Sequence, residues 1–131
     1  MRIELTMLGA SLLLAFVQIM LTAHFRTRQH GIRWNAGARD EALPPPTVLV
    51  GRLQRAQANL FETLPLFIGA VLGCAAAGHF GGRSAIGAQL YFWARLVYVP
   101  LYALGIPMVR SLVWVVSIVG LLLVIASLLL G

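Results

Sequence analysis

Residues 52–65 have the sequence RLQRAQANLFETLP, which places four strongly polar side chains inside an otherwise apolar stretch. The four are Arg52, Arg55, Asn59 and Glu62. On an α-helix of about 3.6 residues per turn, they fall within one arc of roughly 80°. Charged side chains are costly in a membrane-spanning helix, so they mark a face that meets protein, water or a ligand. This stretch therefore predicts a polar site on one face of a membrane helix.

The rest of the chain is too apolar for a soluble domain, because 60% of its 131 residues are hydrophobic and 11% are charged. A membrane-spanning helix needs about 20 predominantly apolar residues. Four stretches meet that length, at residues 5–25, 47–77, 84–104 and 111–130. We therefore predict an all-α integral membrane protein that forms a single domain over residues 1–131, a bundle of four transmembrane helices.

The arginines set the predicted orientation of this bundle. The long loop at residues 26–46 carries four of the ten basic residues, and Arg110 follows the short turn between the last two spans. Because basic residues concentrate on the cytoplasmic side, both loops should be cytoplasmic and both termini outside. We expect a bacterial inner-membrane protein with its site open to the cytoplasmic side. Glu4 and Arg83 should then lie at the opposite surface.

The net charge of +6 does not point to nucleic acid, since the arginines lie in or beside apolar helices and form no soluble basic face. The three histidines are scattered along the chain and have no zinc-ligand spacing, so no metal site is predicted. Tyr91 and Trp93 are expected to lie in the interfacial aromatic belt or to pack against lipid. The single cysteine, Cys74, is expected to be an apolar packing residue.

The predicted topology brings more polar residues to the end that carries the 52–65 motif. Arg95, Tyr98 and Tyr102 are three and four residues apart, so they share one face of the third span. Arg110 begins the fourth span on the same side. The arginines outnumber Glu62, and an arginine fork binds carboxylates or phosphates. We expect an anionic ligand or lipid headgroups here, although a ligand-free Arg–Glu clamp and an aromatic belt remain alternatives.

The motif Arg52-x-x-Arg55-Ala56-Gln57-x-Asn59-x-x-Glu62 resembles a signature of the membrane-associated proteins in eicosanoid and glutathione metabolism, the MAPEG family. Residues 95–102, RLVYVPLY, together with the later Arg110-Ser111 pair, are similar to its second signature. Arg26-x-Arg28 at the end of the first span fits as well. The resemblance extends over essentially the whole chain.

The resemblance implies a homotrimer of four-helix bundles that binds glutathione between neighbouring subunits, in the leaflet half facing the cytoplasm. Residue by residue, it implies tripeptide-binding roles for the following positions: Arg26, Arg55, Asn59, Glu62, Tyr98 and Tyr102. Arg52 and Arg95 join this set because they share the polar faces described above. Arg110 resembles the arginine placed near the glutathione sulfur. Other expected partners are membrane lipids and a hydrophobic small molecule or lipid.

Two positions depart from members of the family that make eicosanoids. Several synthases carry a basic residue just before the motif asparagine, where this chain has Ala58. Some leukotriene-forming members have a tyrosine after the motif glutamate, where this chain has Thr63. The resemblance therefore favours glutathione chemistry over a specific eicosanoid substrate.

The resulting functional hypothesis is a glutathione-dependent transferase or peroxidase that acts on hydrophobic electrophiles in the bilayer. Since the thiolate is the nucleophile, a fixed cation near sulfur would lower the pKa of the thiol. Arg110 is the candidate cation, with Ser111 or Tyr102 as a hydrogen-bond donor to sulfur. The main alternative is a non-catalytic glutathione- or lipid-binding membrane protein. A small four-helix drug/proton exchanger fits less well, because the first span has no acid beyond Glu4.

The spacing of Arg55 and Glu62 leads to one further expectation. Seven residues correspond to about two helical turns, or roughly 10 Å, which is too far for direct contact. We therefore expect both side chains to be buried, with each bound either to a ligand or to a charged group from a neighbouring helix.

Overall fold

The computed structural model covers residues 2–40 and 44–131, and these described residues form five α-helices and no strand. The helices are α1 (Ile3–His30), α2 (Ile32–Ala36), α3 (Val48–Ala77), α4 (Gly82–Ala103) and α5 (Pro107–Leu130). The long helix α1 packs on α3 and α4, and α5 packs on the same two helices. The all-α prediction is confirmed for the described residues.

Three of the helices are long and apolar enough to cross a membrane. They are α1, α3 and α5, with mean hydropathies of 2.0, 1.8 and 2.9 over their most apolar windows. These helices confirm the prediction of an integral membrane protein. The 22-residue helix α4 is less apolar, because it carries Arg83, Gln89 and Arg95.

The local signals at the helix ends behave as their chemistry predicts. The Thr47 hydroxyl accepts a hydrogen bond from the Val50 amide at 3.3 Å and caps the start of α3. Gly78 ends this helix with φ +71, a left-handed conformation that glycine adopts without steric cost. Pro65 and Pro100 lie within α3 and α4, where each removes one backbone hydrogen bond.

The segment between the first two long helices is more helical than expected. Helix α1 continues to His30, five residues beyond the predicted end of the first span at residue 25, and α2 forms within the predicted loop 26–46. Residues 41–43 of that loop lie outside the described residues. The Gln29 side chain ties the segment back to α3, since it donates to the Pro45 carbonyl at 2.9 Å and accepts from the Thr47 amide at 2.8 Å.

Helices α4 and α5 meet at two glycines. A Cβ atom added to Gly87 would lie 2.6 Å from the Gly120 carbonyl oxygen, and one added to Gly120 would lie 2.5 Å from the Gly87 carbonyl oxygen. No side chain fits at either position, so glycine allows the two backbones to approach this closely. This contact fixes α4 against α5, and their joined ends carry several of the predicted site residues.

The expectation that Tyr91 faces lipid is wrong. Tyr91 is 0% exposed, its ring stacks on Phe67 with centroids 4.1 Å apart, and its hydroxyl lies 2.9 Å from the Thr63 hydroxyl. A buried tyrosine needs a hydrogen-bond partner, and α3 supplies one. Trp93, which is 54% exposed, fits the expectation of a lipid-facing side chain, and Cys74 is buried as expected.

The prediction that Glu4 lies at the surface is also wrong. Its side chain is 1% exposed, and its Oε2 atom accepts a hydrogen bond from the Ser84 hydroxyl at 2.5 Å. The Arg2 Nε atom lies 3.9 Å from the other carboxylate oxygen. Because α1 packs on α4, a residue at the start of α1 is covered by the first turn of α4. The Glu4 carboxylate is therefore buried although it lies in the first turn of α1.

Candidate anion-binding site

Two adjoining cavities open where the N-terminal half of α3 faces the turn between α4 and α5. The first has a volume of about 210 Å³ and is lined by Arg52, Arg55, Tyr102, Gly105, Pro107 and Arg110. The second has a volume of about 230 Å³ and is lined by Asn59, Tyr98, Tyr102, Arg110, Ser111 and Trp114. Tyr102 and Arg110 line both cavities, so they form the wall between them. Seven of the ten predicted site residues line one cavity or the other.

Tyr102 organises the arginines around this wall. The Arg55 Nε atom donates a hydrogen bond to the Tyr102 hydroxyl at 3.2 Å. The Arg110 guanidinium carbon lies 4.5 Å from the centroid of the same ring, at cation–π distance. Tyr98 meets the ring edge-on with centroids 5.5 Å apart. The tyrosine therefore holds two guanidinium groups close together without neutralising either of them.

Arg95 lies beneath the cavities and is 1% exposed. Its Nη1 atom donates to the Asn59 Oδ1 atom at 2.8 Å, and its guanidinium carbon lies 4.5 Å from the centroid of the Tyr98 ring. Its Nε and Nη2 atoms have no hydrogen-bond partner among residues 2–40 and 44–131. The guanidinium is therefore held by an amide and a ring, and it forms no ion pair at contact distance within the described residues. Arg95 thus orients Asn59 and Tyr98, both of which line the second cavity.

Gly105 brings the α4–α5 turn onto Arg52. Its φ of +72 lies in the left-handed region, and a Cβ atom there would be 2.6 Å from the Arg52 Nη2 atom. The Arg52 Nη1 atom also donates to the Ala103 carbonyl at 3.3 Å. The sequence predicted a short turn between the last two spans, but it held no signal that Arg52 would pack on this turn. Trp114, which lines the second cavity, was missed because an apolar span offers many equivalent side chains.

Two predicted site residues, Arg26 and Glu62, do not line either cavity of the single chain. The Arg26 guanidinium carbon is 5.7 Å from the centroid of the Trp34 ring, on the α1–α2 side of the molecule. Glu62 is exposed on α3, and so is Arg55 beside the first cavity. The expectation that Arg55 and Glu62 are both buried is therefore wrong for the single chain. Neither forms an ion pair within the described residues, where Arg2–Glu4 is the pair found.

The cavities have an excess of positive charge. Three arginines line them, Arg95 lies below, and no carboxylate is among the lining residues. Guanidinium groups that face an open space in this way can bind carboxylates or phosphates through paired N–H donors. The Ser111 hydroxyl at the rim donates to the Pro107 carbonyl at 3.1 Å, and its oxygen retains the capacity to accept hydrogen bonds. The arrangement suits a polar, anionic ligand that enters from the helix ends.

Comparison with known proteins identifies the family of this chain. The model of the MAPEG family matches residues 5–130, a range that includes nearly all of the four long helices and both cavities. A search among curated proteins finds no match. The match to the family model covers almost the whole chain, and the polar motif on α3 lies within it. This chain therefore belongs to the MAPEG family.

Proposed function

We propose that the chain is a glutathione-dependent transferase or peroxidase that acts on hydrophobic electrophiles dissolved in the bilayer. The observation that carries the proposal is the pair of joined cavities lined by Arg52, Arg55 and Arg110 without a lining carboxylate. Membership of a family that includes glutathione transferases supports the same conclusion.

Glutathione complements the charges on α3 and α5. It carries two carboxylates and one ammonium group, so it requires more cations than anions from the protein. Arg52 and Arg55 are placed to bind carboxylates, and the exposed Glu62 is available for the ammonium group. Asn59 is held by Arg95, so its amide is oriented toward the second cavity.

The proposed chemistry requires a thiolate next to Arg110. A thiol is a weak nucleophile until it loses its proton, and a permanently charged guanidinium stabilises the resulting anion. Tyr102 accepts a hydrogen bond from Arg55, so the hydroxyl proton of Tyr102 stays available for the sulfur. In the transferase reaction, the thiolate forms a C–S bond to the electrophile, and the leaving group departs with its electron pair. Ser111 is the second candidate donor to sulfur, a role that requires its hydroxyl to turn away from the Pro107 carbonyl.

The same proposal includes a larger assembly and an orientation. We propose that α4 is the fourth transmembrane span and that three copies form a homotrimer in a bacterial inner membrane. Both termini would lie outside, and the cavities would open toward the cytoplasm. Exposure of Arg55 and Glu62 supports a site that a neighbouring copy completes. Arg26 packs on Trp34 and does not line the cavities of its own chain, so it would serve the site of a neighbour.

The decisive test measures the ultraviolet thiolate absorbance of glutathione bound to the purified protein in detergent. We expect Arg110→Ala to lower the thiolate fraction at neutral pH, because one pKa unit corresponds to about a tenfold change in ionisation. The control is Arg83→Ala, which removes an exposed arginine from the start of α4. An Arg110→Ala protein that binds glutathione with an undiminished thiolate signal would remove Arg110 from this role.

Turnover is tested separately from binding. Purified protein is mixed with glutathione and a reactive aryl halide, and thioether formation is followed. Thioether formation that requires the folded protein supports the transferase. Glutathione binding without turnover of either an aryl halide or a hydroperoxide would favour the non-catalytic binding protein instead.

A further inference from the structure

A second basic pocket lies outside the candidate anion-binding site, between the last turns of α1 and the short helix α2. It has a volume of about 740 Å³, and its lining residues are His24, Thr27, Arg28, His30, Gly31, Ile32 and Arg33. Two arginines and two histidines contribute to this lining, and no carboxylate does. None of these residues lines the two cavities beside Tyr102. The functional proposal therefore leaves this pocket unexplained.

The pocket continues into an apolar groove along α1. The groove has a volume of about 430 Å³ and is lined by Phe16, Val17, Met20, Leu21 and His24. His24 belongs to both linings, so the two spaces adjoin. On a helix of about 3.6 residues per turn, Val17, Met20, His24 and Arg28 form one continuous stripe. The stripe is apolar along the middle of α1 and becomes basic at its end.

The fold holds the basic pocket in shape. Gly31 has φ +94 and reverses the chain after α1, which places Arg33 beside the last turn of that helix. The centroid of the Trp34 ring lies 4.7 Å from the centroid of the His30 ring and 4.9 Å from the guanidinium carbon of Arg39. These contacts pack α2 against the end of α1, while the Arg28 and Arg33 side chains stay exposed.

We propose that this surface binds one anionic phospholipid, with the headgroup phosphate in the basic pocket and an acyl chain in the groove on α1. Arg28 and Arg33 supply guanidinium donors for the phosphate, and the histidine rings add further N–H donors. Ile32, which is 76% exposed, lies next to the headgroup position, where an apolar side chain can enter the lipid surface. Basic residues beside a membrane helix attract anionic lipid by charge.

The charge and the shape of the surface together select this occupant. A zwitterionic lipid would place its cationic group among arginines, and a soluble phosphate compound would leave the groove empty. A second copy of the same chain would have to present an anionic segment to Arg28 and Arg33. Among the described residues, the exposed acids are Asp40 and Glu62, which lie on separate segments of the chain. An anionic lipid satisfies both halves of the surface.

The test uses native mass spectrometry of the detergent-purified protein, with phosphatidylglycerol or phosphatidylcholine added at equal concentration. We expect phosphatidylglycerol to be retained in preference to phosphatidylcholine. Arg33→Gln should weaken that retention about fivefold, the value expected for the loss of one arginine near an anionic headgroup. Arg83→Gln, which removes the same charge from the other end of the molecule, should leave retention unchanged. Equal retention by Arg33→Gln and Arg83→Gln overturns the assignment.

Two further measurements separate the lipid from the other occupants. Glycerol phosphate has the headgroup chemistry without a tail, so at the lipid concentration it should not displace phosphatidylglycerol. Full displacement would overturn the lipid assignment in favour of a soluble phosphate site. Met20→Gln should weaken phosphatidylglycerol retention through the groove and leave the oligomer mass unchanged. A variant that changes the oligomer but not lipid retention would show that this face joins two copies, which also overturns the proposal.

Discussion

Helices α4 and α5 pack closely against each other near the start of α4, whereas the turn that joins the end of α4 to α5 faces α3 across two cavities. At the closed end, Gly87 and Gly120 allow the backbones of α4 and α5 to approach closely. The buried Glu4 carboxylate accepts a hydrogen bond from the Ser84 hydroxyl at this end. At the open end, Tyr102 in the last turn of α4 and Arg110 in the first turn of α5 both line the two cavities. Small residues permit close helix contact, whereas guanidinium groups repel one another and need water or an anion beside them.

The two ends also differ in how charge is balanced. The carboxylate of Glu4 has a hydroxyl donor and a nearby arginine within the same chain. The arginines at the open end are held by rings, a hydroxyl, an amide and one backbone carbonyl, none of which carries negative charge. The closed end is therefore expected to support stability, and the open end to support binding. Substitutions at the two ends should separate these properties.

The largest effect is expected from Gly120→Ala at the closed end. The new Cβ atom would lie 2.5 Å from the Gly87 carbonyl oxygen and 2.6 Å from the Tyr91 amide nitrogen, so α4 and α5 must move apart. We expect a loss of about 3 kcal/mol in the free energy of unfolding, the upper range for overpacked cores. Thermal unfolding in detergent measures this loss. Gly9→Ala is the control, since a Cβ there has no neighbour within 4 Å; equal stability of both variants would contradict the predicted clash.

Glu4→Ala should have the next largest effect and should act on stability alone. It removes a buried carboxylate that accepts a hydrogen bond from the Ser84 hydroxyl and leaves that hydroxyl the Gly81 carbonyl as acceptor, at a cost of about 2 kcal/mol. Glutathione binding should be unchanged, because Glu4 does not line either cavity. Ser84→Ala and the double variant complete a cycle that isolates the pair. Loss of glutathione binding at full stability would show that the two ends are not independent.

At the open end, Glu62→Gln should weaken glutathione binding about tenfold, as expected for the loss of one charge-assisted hydrogen bond. Stability should change little, because Glu62 is exposed in the single chain. Asp40→Asn provides the matched control, since it removes the same charge from an exposed position in the segment after α2. Isothermal calorimetry in one detergent, with the oligomer intact, compares the two. Identical affinities would make the polar face of α3 structural.

The smallest effect is expected from Tyr102→Phe. The variant loses the acceptor for the Arg55 Nε atom but keeps the ring that faces Arg110. We expect about a fivefold loss of glutathione affinity, consistent with one hydrogen bond worth about 1 kcal/mol. Tyr91→Phe removes a hydroxyl from the core instead, so it should lower the unfolding temperature and leave affinity unchanged. A reversed pattern between the two variants would invalidate the proposed division between the ends.

Much of the fold follows from local chemistry. Long apolar stretches predicted α1, α3 and α5 because a membrane helix must be apolar over about 20 residues. The predicted start of the second span at residue 47 agrees with the start of α3, where the Thr47 hydroxyl caps an unpaired amide. The arginines and tyrosines that line the cavities were found because polar residues are rare in spans and their helical spacing is visible.

The errors concern residues whose surroundings come from distant parts of the chain. Tyr91 was expected to face lipid, yet Thr63 and Phe67 on α3 enclose it. Glu4 was expected at a surface, yet Ser84 on α4 covers it. A tyrosine or a glutamate near a membrane boundary has the same sequence context in either environment. Helix packing alone distinguishes the two.

The amino-acid sequence by itself determined the helical membrane class, the polar face of α3 and the excess of arginine over carboxylate, because these depend on composition and on helical period. Only the tertiary structure decided which of these groups meet. It placed Arg110 on Tyr102, Arg52 on the Gly105 turn and Arg26 beside Trp34, away from both cavities. The physical reason is that a side chain's partners depend on how helices rotate and cross, and close packing across the whole bundle sets that geometry.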